Sequence, residues 1–218
     1  MYVCSVLRSE GGNEYTVYDE RGSKYQISGG DLRRLEIPFT GREEDYPIEM
    51  ADGLRDLLSE CNEKLRCIKY LQWYIENYGE KSKKRFVEKC RENDYSEAVA
   101  NTAIELLCEY GVIDEIRSCE RRIAAYARDK LYGKYRIKNE LYAKGYERAN
   151  IESAFEACEV DFYENALLMY RKLTRSGVPS DFKERKKIAD KMVRYGYSFD
   201  EIRYASNEVY DEPEGFDD

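Results

Sequence analysis

The sequence predicts a mainly α-helical protein: three tandem three-helix repeats in an extended array, preceded by a small antiparallel β meander. Three observations carry this reading. Apolar residues recur at spacings of three and four from Leu54 onward, and no proline stands between Pro47 and Pro179. An Asp-Tyr or Gly-Tyr pair begins at 94, 145 and 196, twice at an interval of 51. The first forty residues differ, with short β-branched and aromatic runs divided by glycine.

In chain order, Tyr2–Leu7, Glu14–Asp19 and Lys24–Ser28 read as strands, separated by Gly11-Gly12-Asn13 and Arg21-Gly22. Gly29-Gly30 ends the meander, Asp31 can cap a short helix through Leu35, and Pro38 to Pro47 is a polar, acid-rich connector. A boundary is expected near residue 50, with repeats over 51–110, 111–159 and 160–210 and a disordered acidic tail over 211–218. Each repeat is expected to hold a longer helix, a break, a shorter helix, the Tyr turn and a third helix. The interval of 51 also relates Phe86, Ile137 and Ile188, then Cys90, Leu141 and Met192, then Arg85, Arg136 and Lys187. Ser82, Asp181 and Ser198 can cap helix starts, the last two with Glu184 and Glu201 as capping-box partners. Gly145 and Gly196 suit a left-handed helix end, and Asp94 does so with more strain.

Composition narrows the function. A chain of 218 residues, 42% hydrophobic and 13% aromatic, can build a core, while 37% charged residues and a mean hydropathy of -0.78 leave no apolar run of membrane length. The start Met1-Tyr2-Val3-Cys4-Ser5 lacks the basic and apolar regions of a signal peptide, so a soluble cytoplasmic protein is expected. Seven cysteines without a C-x-x-C pair suggest neither a disulfide framework nor a zinc site, and Cys90, Cys108 and Cys158 read as small buried hydrophobes. With no histidine, imidazole triads and the commonest zinc ligand are missing. Gly79-Glu80-Lys81-Ser82 lacks the spacing of a phosphate loop. The expectation is a monomeric, non-enzymatic protein without cofactor or metal.

The net charge of -8 is uneven. Residues 1–60 carry -6, residues 211–218 carry -5, and residues 117–148 carry ten cations against four acids. Arg117, Arg121, Arg122, Arg128, Lys130, Lys134, Arg136, Lys138 and Lys144 are therefore the candidate residues for binding a partner or DNA. Arg117, Arg121 and Arg128 share one side of their helix, as do Lys134 and Lys138. The interleaved Tyr126, Tyr132, Tyr135, Tyr142 and Tyr146 could stack on bases, but core packing is the better reading, with Tyr146 anchoring its turn.

The stretch Gly133-Lys134-Tyr135-Arg136-Ile137-Lys138-Asn139-Glu140-Leu141-Tyr142-Ala143-Lys144-Gly145-Tyr146 resembles the G-x-x-x-I-x-x-E-L-x-x-K-G-hydrophobic segment of the RecX family. Tyr110-Gly111-Val112-Ile113-Asp114-Glu115 before it, and Arg194-Tyr195-Gly196-Tyr197 with Asp200-Glu201-Ile202 after it, are similar to two further segments of that family. The likeness covers about Leu65 to Val209, and the β-rich start resembles the extension of Gram-positive members. What the resemblance implies is a regulator of DNA repair, recombination and the SOS response, which binds the groove of the RecA nucleoprotein filament and alters, usually inhibits, its activity. The rival reading is a stand-alone module for single- or double-stranded DNA that makes no direct RecA contact. A weaker third is a helical scaffold for an unrelated partner.

Overall fold

The computed structural model describes residues 1–175, 177, 179 and 181–211. Four strands, β1 (Tyr2–Arg8), β2 (Glu14–Asp19), β3 (Lys24–Ser28) and β4 (Ile48–Glu49), and ten helices follow in the order given below, among the described residues. They fall into two compact units. One holds Met1–Glu80 and Arg85–Ile113, the other Lys81–Lys84 and the residues from Asp114 on.

In the first unit the sheet order is β3-β2-β1-β4, all antiparallel. Val17, Tyr25 and Ile27 obey the two-residue alternation and point into the core. Val3 and Val6 are both buried although three residues apart, because the register slips between Val3 and Ser5 and so restores the inward phase. Strand β4 lies just past the connector expected over Pro38 to Pro47 and was not among the strands expected. It pairs with β1 over two residues only, too few to leave an alternating pattern in the sequence. The short helix α1 (Gly29–Arg34) is capped by Ser28 instead of the expected Asp31; the Ser28 hydroxyl accepts from the Asp31 amide, so Asp31 lies in the first turn.

Helix α2 (Leu54–Tyr78) serves two cores. Its Leu54, Leu58 and Cys61 close over the sheet, and its Cys67 and Leu71 pack with Phe86, Cys90, Ala100, Ile104 and Leu107 of α3 (Lys83–Arg91) and α4 (Glu97–Glu109). Polar contacts reinforce the sheet side: Arg55 reaches Asp19 at 3.0 Å, Asn62 accepts from the Gln26 amide at 2.9 Å, and Lys64 reaches Asp31 at 2.7 Å. This double duty explains the length of α2 and joins the sheet to the first repeat. Asp19 is buried, which would raise its pKa. The amides of Ser23 and Arg21 and the Arg55 guanidinium outweigh that and hold it at about 2.

The second unit contains α5 (Glu115–Lys130), α6 (Lys134–Ala143) and α7 (Arg148–Ala157), then α8 (Phe162–Leu173), α9 (Phe182–Tyr195) and α10 (Phe199–Asp211). Each trio has its own apolar cluster, around Ile123, Ile137, Leu141 and Ile151 in the first and around Leu167, Met169, Met192 and Ile202 in the second. In the last trio α9 is longer than α8, opposite to the expected order, because α9 begins about a turn earlier relative to its turn than α3 and α6 do.

The 51-residue interval is realised as one repeated turn. The amides of Tyr95, Tyr146 and Tyr197 donate to the carbonyls of Cys90, Leu141 and Met192 at 3.1, 3.2 and 3.2 Å. The preceding residues, Asp94, Gly145 and Gly196, have φ of 63°, 85° and 94°. This is the left-handed helix stop that the sequence predicts, with the carbonyl three residues from the helix end satisfied by the residue after the stop. Cys108 and Cys158 are half-buried rather than buried, at the rims of their clusters, while Cys90 is fully enclosed. The acidic stretch expected to be disordered lies, beyond Asp211, outside the described residues.

Candidate partner-binding surface

The second unit is held together by the docking of helix starts on helix ends. The first amides of a helix and its last carbonyls have no partners within the helix. Here they serve each other: the Gly133 amide donates to the Tyr195 carbonyl at 2.8 Å and the Tyr135 amide to the Gly196 carbonyl at 3.1 Å, so the start of α6 sits on the end of α9. The Arg136 guanidinium completes the seat, 4.0 Å from the Tyr132 ring, 5.5 Å from the Tyr195 ring and donating to the Arg194 carbonyl. One interval earlier, the Ser82 hydroxyl donates to the Lys144 carbonyl at 2.7 Å, beside Gly145. Residues 82 and 133, and turns 145 and 196, are each 51 apart, so a similar seat occurs twice within the second unit.

This frame assigns several predicted residues to internal work. Arg122 is half-buried and donates to the Tyr146 hydroxyl, which also bonds Ser118 at 2.8 Å. Tyr146 anchors its turn as expected. Lys138 pairs with Glu152 at 2.6 Å, and Lys134 and Lys138 both stand over Phe155. Lys130 covers Tyr126 and Tyr132. Arg128 pairs with its neighbour Asp129, and Arg117 lies 3.8 Å from Asp114, the residue that caps α5. Arg117, Arg121, Arg128, Lys130, Lys134 and Lys144 are exposed, whereas Arg122, Arg136 and Lys138 are half-buried. Burial first, and then the charges of Arg122 and Lys144, pull the Lys81 ammonium below its usual pKa.

A second cationic surface escaped the sequence reading. Helix α9 carries Lys183, Arg185, Lys186, Lys187, Lys191 and Arg194 against Glu184 and Asp190. Of its residues only Met192 is fully buried. At about 100° per residue, Lys183, Lys187 and Arg194 share an arc of about 40° opposite Met192, with Lys186 and Lys191 on its flanks. All five are exposed, and among the described residues none makes an ion pair. A net charge taken helix by helix would have marked α9; one taken over the middle repeat counted cations that neighbouring rings and carboxylates already engage.

Among the described residues no cluster of acidic or cysteine side chains could hold a metal ion, and no helix is long and apolar enough to cross a membrane. The geometry offers exposed cations on α5 and α9.

Comparison with known proteins agrees with this architecture. A family model described as "RecX, third three-helix domain" matches residues 159–205. A protein of Stenotrophomonas maltophilia named Regulatory protein RecX is 31% identical over 127 residues, 58% of this chain and 77% of that protein. A protein of the same name from Pseudomonas savastanoi is 30% identical over 114 residues, 52% of this chain and 73% of that one. A crystal structure of regulatory protein RecX superposes with a TM-score of 0.73 over 94% of this chain and 98% of its own, at 15% identity, which shows the shared fold. On these relatives and this fold, the chain belongs to the RecX family of regulatory proteins.

Proposed function

We propose that this chain binds the nucleoprotein filament of a RecA recombinase and lowers its ATPase and strand-exchange activity. The observation that carries the reading is the match to proteins named Regulatory protein RecX across 77% of such a protein's length. The repeat architecture suits it. Tandem three-helix repeats are an architecture that binds partners through broad surfaces, with no need of a catalytic site. In this reading the protein acts as a cytoplasmic monomer without cofactor, divided at about residues 50, 110, 159 and 210.

Electrostatic attraction would come from the exposed side of α5, with Arg117, Arg121 and Arg128, and from the α9 face with Lys183, Lys187 and Arg194. The unpaired α9 cations also favour a second reading, direct binding to the phosphates of DNA with no RecA contact. RecA ATPase and strand exchange on single-stranded DNA, with and without the protein, test the first reading. A dose-dependent fall is the expected result, and unchanged rates at several-fold excess would refute it.

A further inference from the structure

Helices α2 and α3 meet through a pair of sulfurs. The Cys67 and Cys90 sulfurs stand 3.5 Å apart, both cysteines are fully enclosed, and Leu71, Phe86 and Leu107 belong to the apolar cluster around them. Packing alone does not ask for sulfur here: at the interval of 51 the place of Cys90 is taken by Leu141 and Met192, each buried in its own repeat. The two thiols are unlike. Hydrogen bonding to Cys90, and then burial, push the Cys67 thiol well above its usual range, so it keeps its proton. The same hydrogen bond draws the Cys90 thiol down against burial, which makes it the sulfur that ionises first.

We propose that Cys67 and Cys90 form an oxidisable dithiol, and that a peroxide converts them into a disulfide that fastens α3 to α2. The Cys90 thiolate attacks one peroxide oxygen and becomes a sulfenic acid as the O–O bond breaks; the departing hydroxide takes up the proton that Cys90 released. The Cys67 sulfur then attacks the Cys90 sulfur, forming the S–S bond, and the hydroxyl leaves with the Cys67 proton as a second water. Two electrons pass from sulfur to the peroxide, so two thiols and one peroxide yield one disulfide and two waters. The sulfurs must close by about 1.5 Å to bond. Both are buried, so the oxidant reaches them as α3, nine residues long, opens locally, and the reaction is slow beside that of the exposed Cys4. Since α2 also closes over the sheet through Leu54, Leu58 and Cys61, the link ties α3 to the helix that both cores share. Nothing in this chemistry depends on which partner the protein binds.

The test uses the full chain carrying Cys4→Ser, which removes the exposed thiol. It is treated with hydrogen peroxide, blocked with iodoacetamide in urea and digested without reductant. A peptide pair joined through Cys67 and Cys90, and released by dithiothreitol, is expected in mass spectrometry. Recovery of both as free thiols, as sulfinic acids, or joined only to other cysteines would overturn the proposal. Thermal unfolding reads the fastening: closing a loop of about two dozen residues should raise the midpoint of the oxidised protein over the reduced by about 10 °C. In Cys90→Ala, peroxide should leave the midpoint where it was. A linked protein whose midpoint does not rise would overturn the fastening of α3, and an equal rise in Cys90→Ala would assign it to another site. The peptide map needs no core variant, so it decides the link even where Cys90→Ala fails to fold.

Discussion

Gly133→Ala is the sharpest test of the joint between the second and third repeats. Gly133 has a φ of -76°, which any residue adopts, so a methyl group there brings no backbone strain of its own. Space is what it lacks. A Cβ at Gly133 would stand 2.4 Å from both the carbonyl carbon and the oxygen of Gly196, and 2.6 Å from the Tyr197 nitrogen. All three are backbone atoms and cannot rotate away. Relief requires α6 to lift from the end of α9, which stretches the bonds from the Gly133 and Tyr135 amides and loosens the Arg136 seat. Overpacking costs typically 1–3 kcal/mol and each weakened bond about 1 kcal/mol, so a loss of about 3 kcal/mol is expected. Gly11→Ala is the control, because nothing lies within 4 Å of a Cβ there and its φ is not positive. Urea unfolding followed by circular dichroism should show a lower midpoint for the first variant and a shift within about 0.5 kcal/mol for the second. Equal midpoints would refute the docking of helix start on helix end.

Further outcomes follow from single sites. Because the Asp19 pKa falls from 3.8 to about 2 on folding, its carboxylate contributes about 2 kcal/mol above pH 4, lost as the pH falls toward 2; Asp19→Asn should flatten that limb of the acid-unfolding curve. An unchanged limb would count against the Arg55 and amide contacts. The Tyr197 hydroxyl stands 2.9 and 3.0 Å from the carbonyls of Leu131 and Asn165, so Tyr197→Phe should cost about 1–2 kcal/mol in thermal unfolding, and no loss would deny that anchor. Glu at positions 183, 187 and 191 should weaken oligonucleotide binding and make its salt dependence shallower while the melting temperature holds. Binding equal to the parent's at every salt concentration would clear α9 of a role.

How much was legible in the sequence depended on what kind of contact was at issue. The repeated turn was readable because its cause is local: a left-handed residue at 94, 145 and 196 and the Tyr after it, half-buried at 95 and buried at 146 and 197, recur at a fixed offset from the helix end. The meander strands were readable from alternation, but β4 was not, since two residues cannot alternate. The partners of charged side chains were the least readable. Arg122 and Arg136 looked like surface cations, yet one is committed to Tyr146 and the other to Tyr132, Tyr195 and Arg194, contacts 24 and 58 residues apart in the case of Tyr146 and Arg194. Net charge over a window counts such residues equally with the exposed cations of α9.

Binding to a RecA filament assembled on single-stranded DNA, compared with binding to the same DNA naked, across a range of salt concentrations, tests the central claim most directly. Filament binding is predicted to exceed that to naked DNA and to persist as salt rises, because protein–protein contacts do not depend on releasing phosphate counterions. Equal affinity for the two, lost together with rising salt, would contradict it and leave a DNA-binding protein in its place.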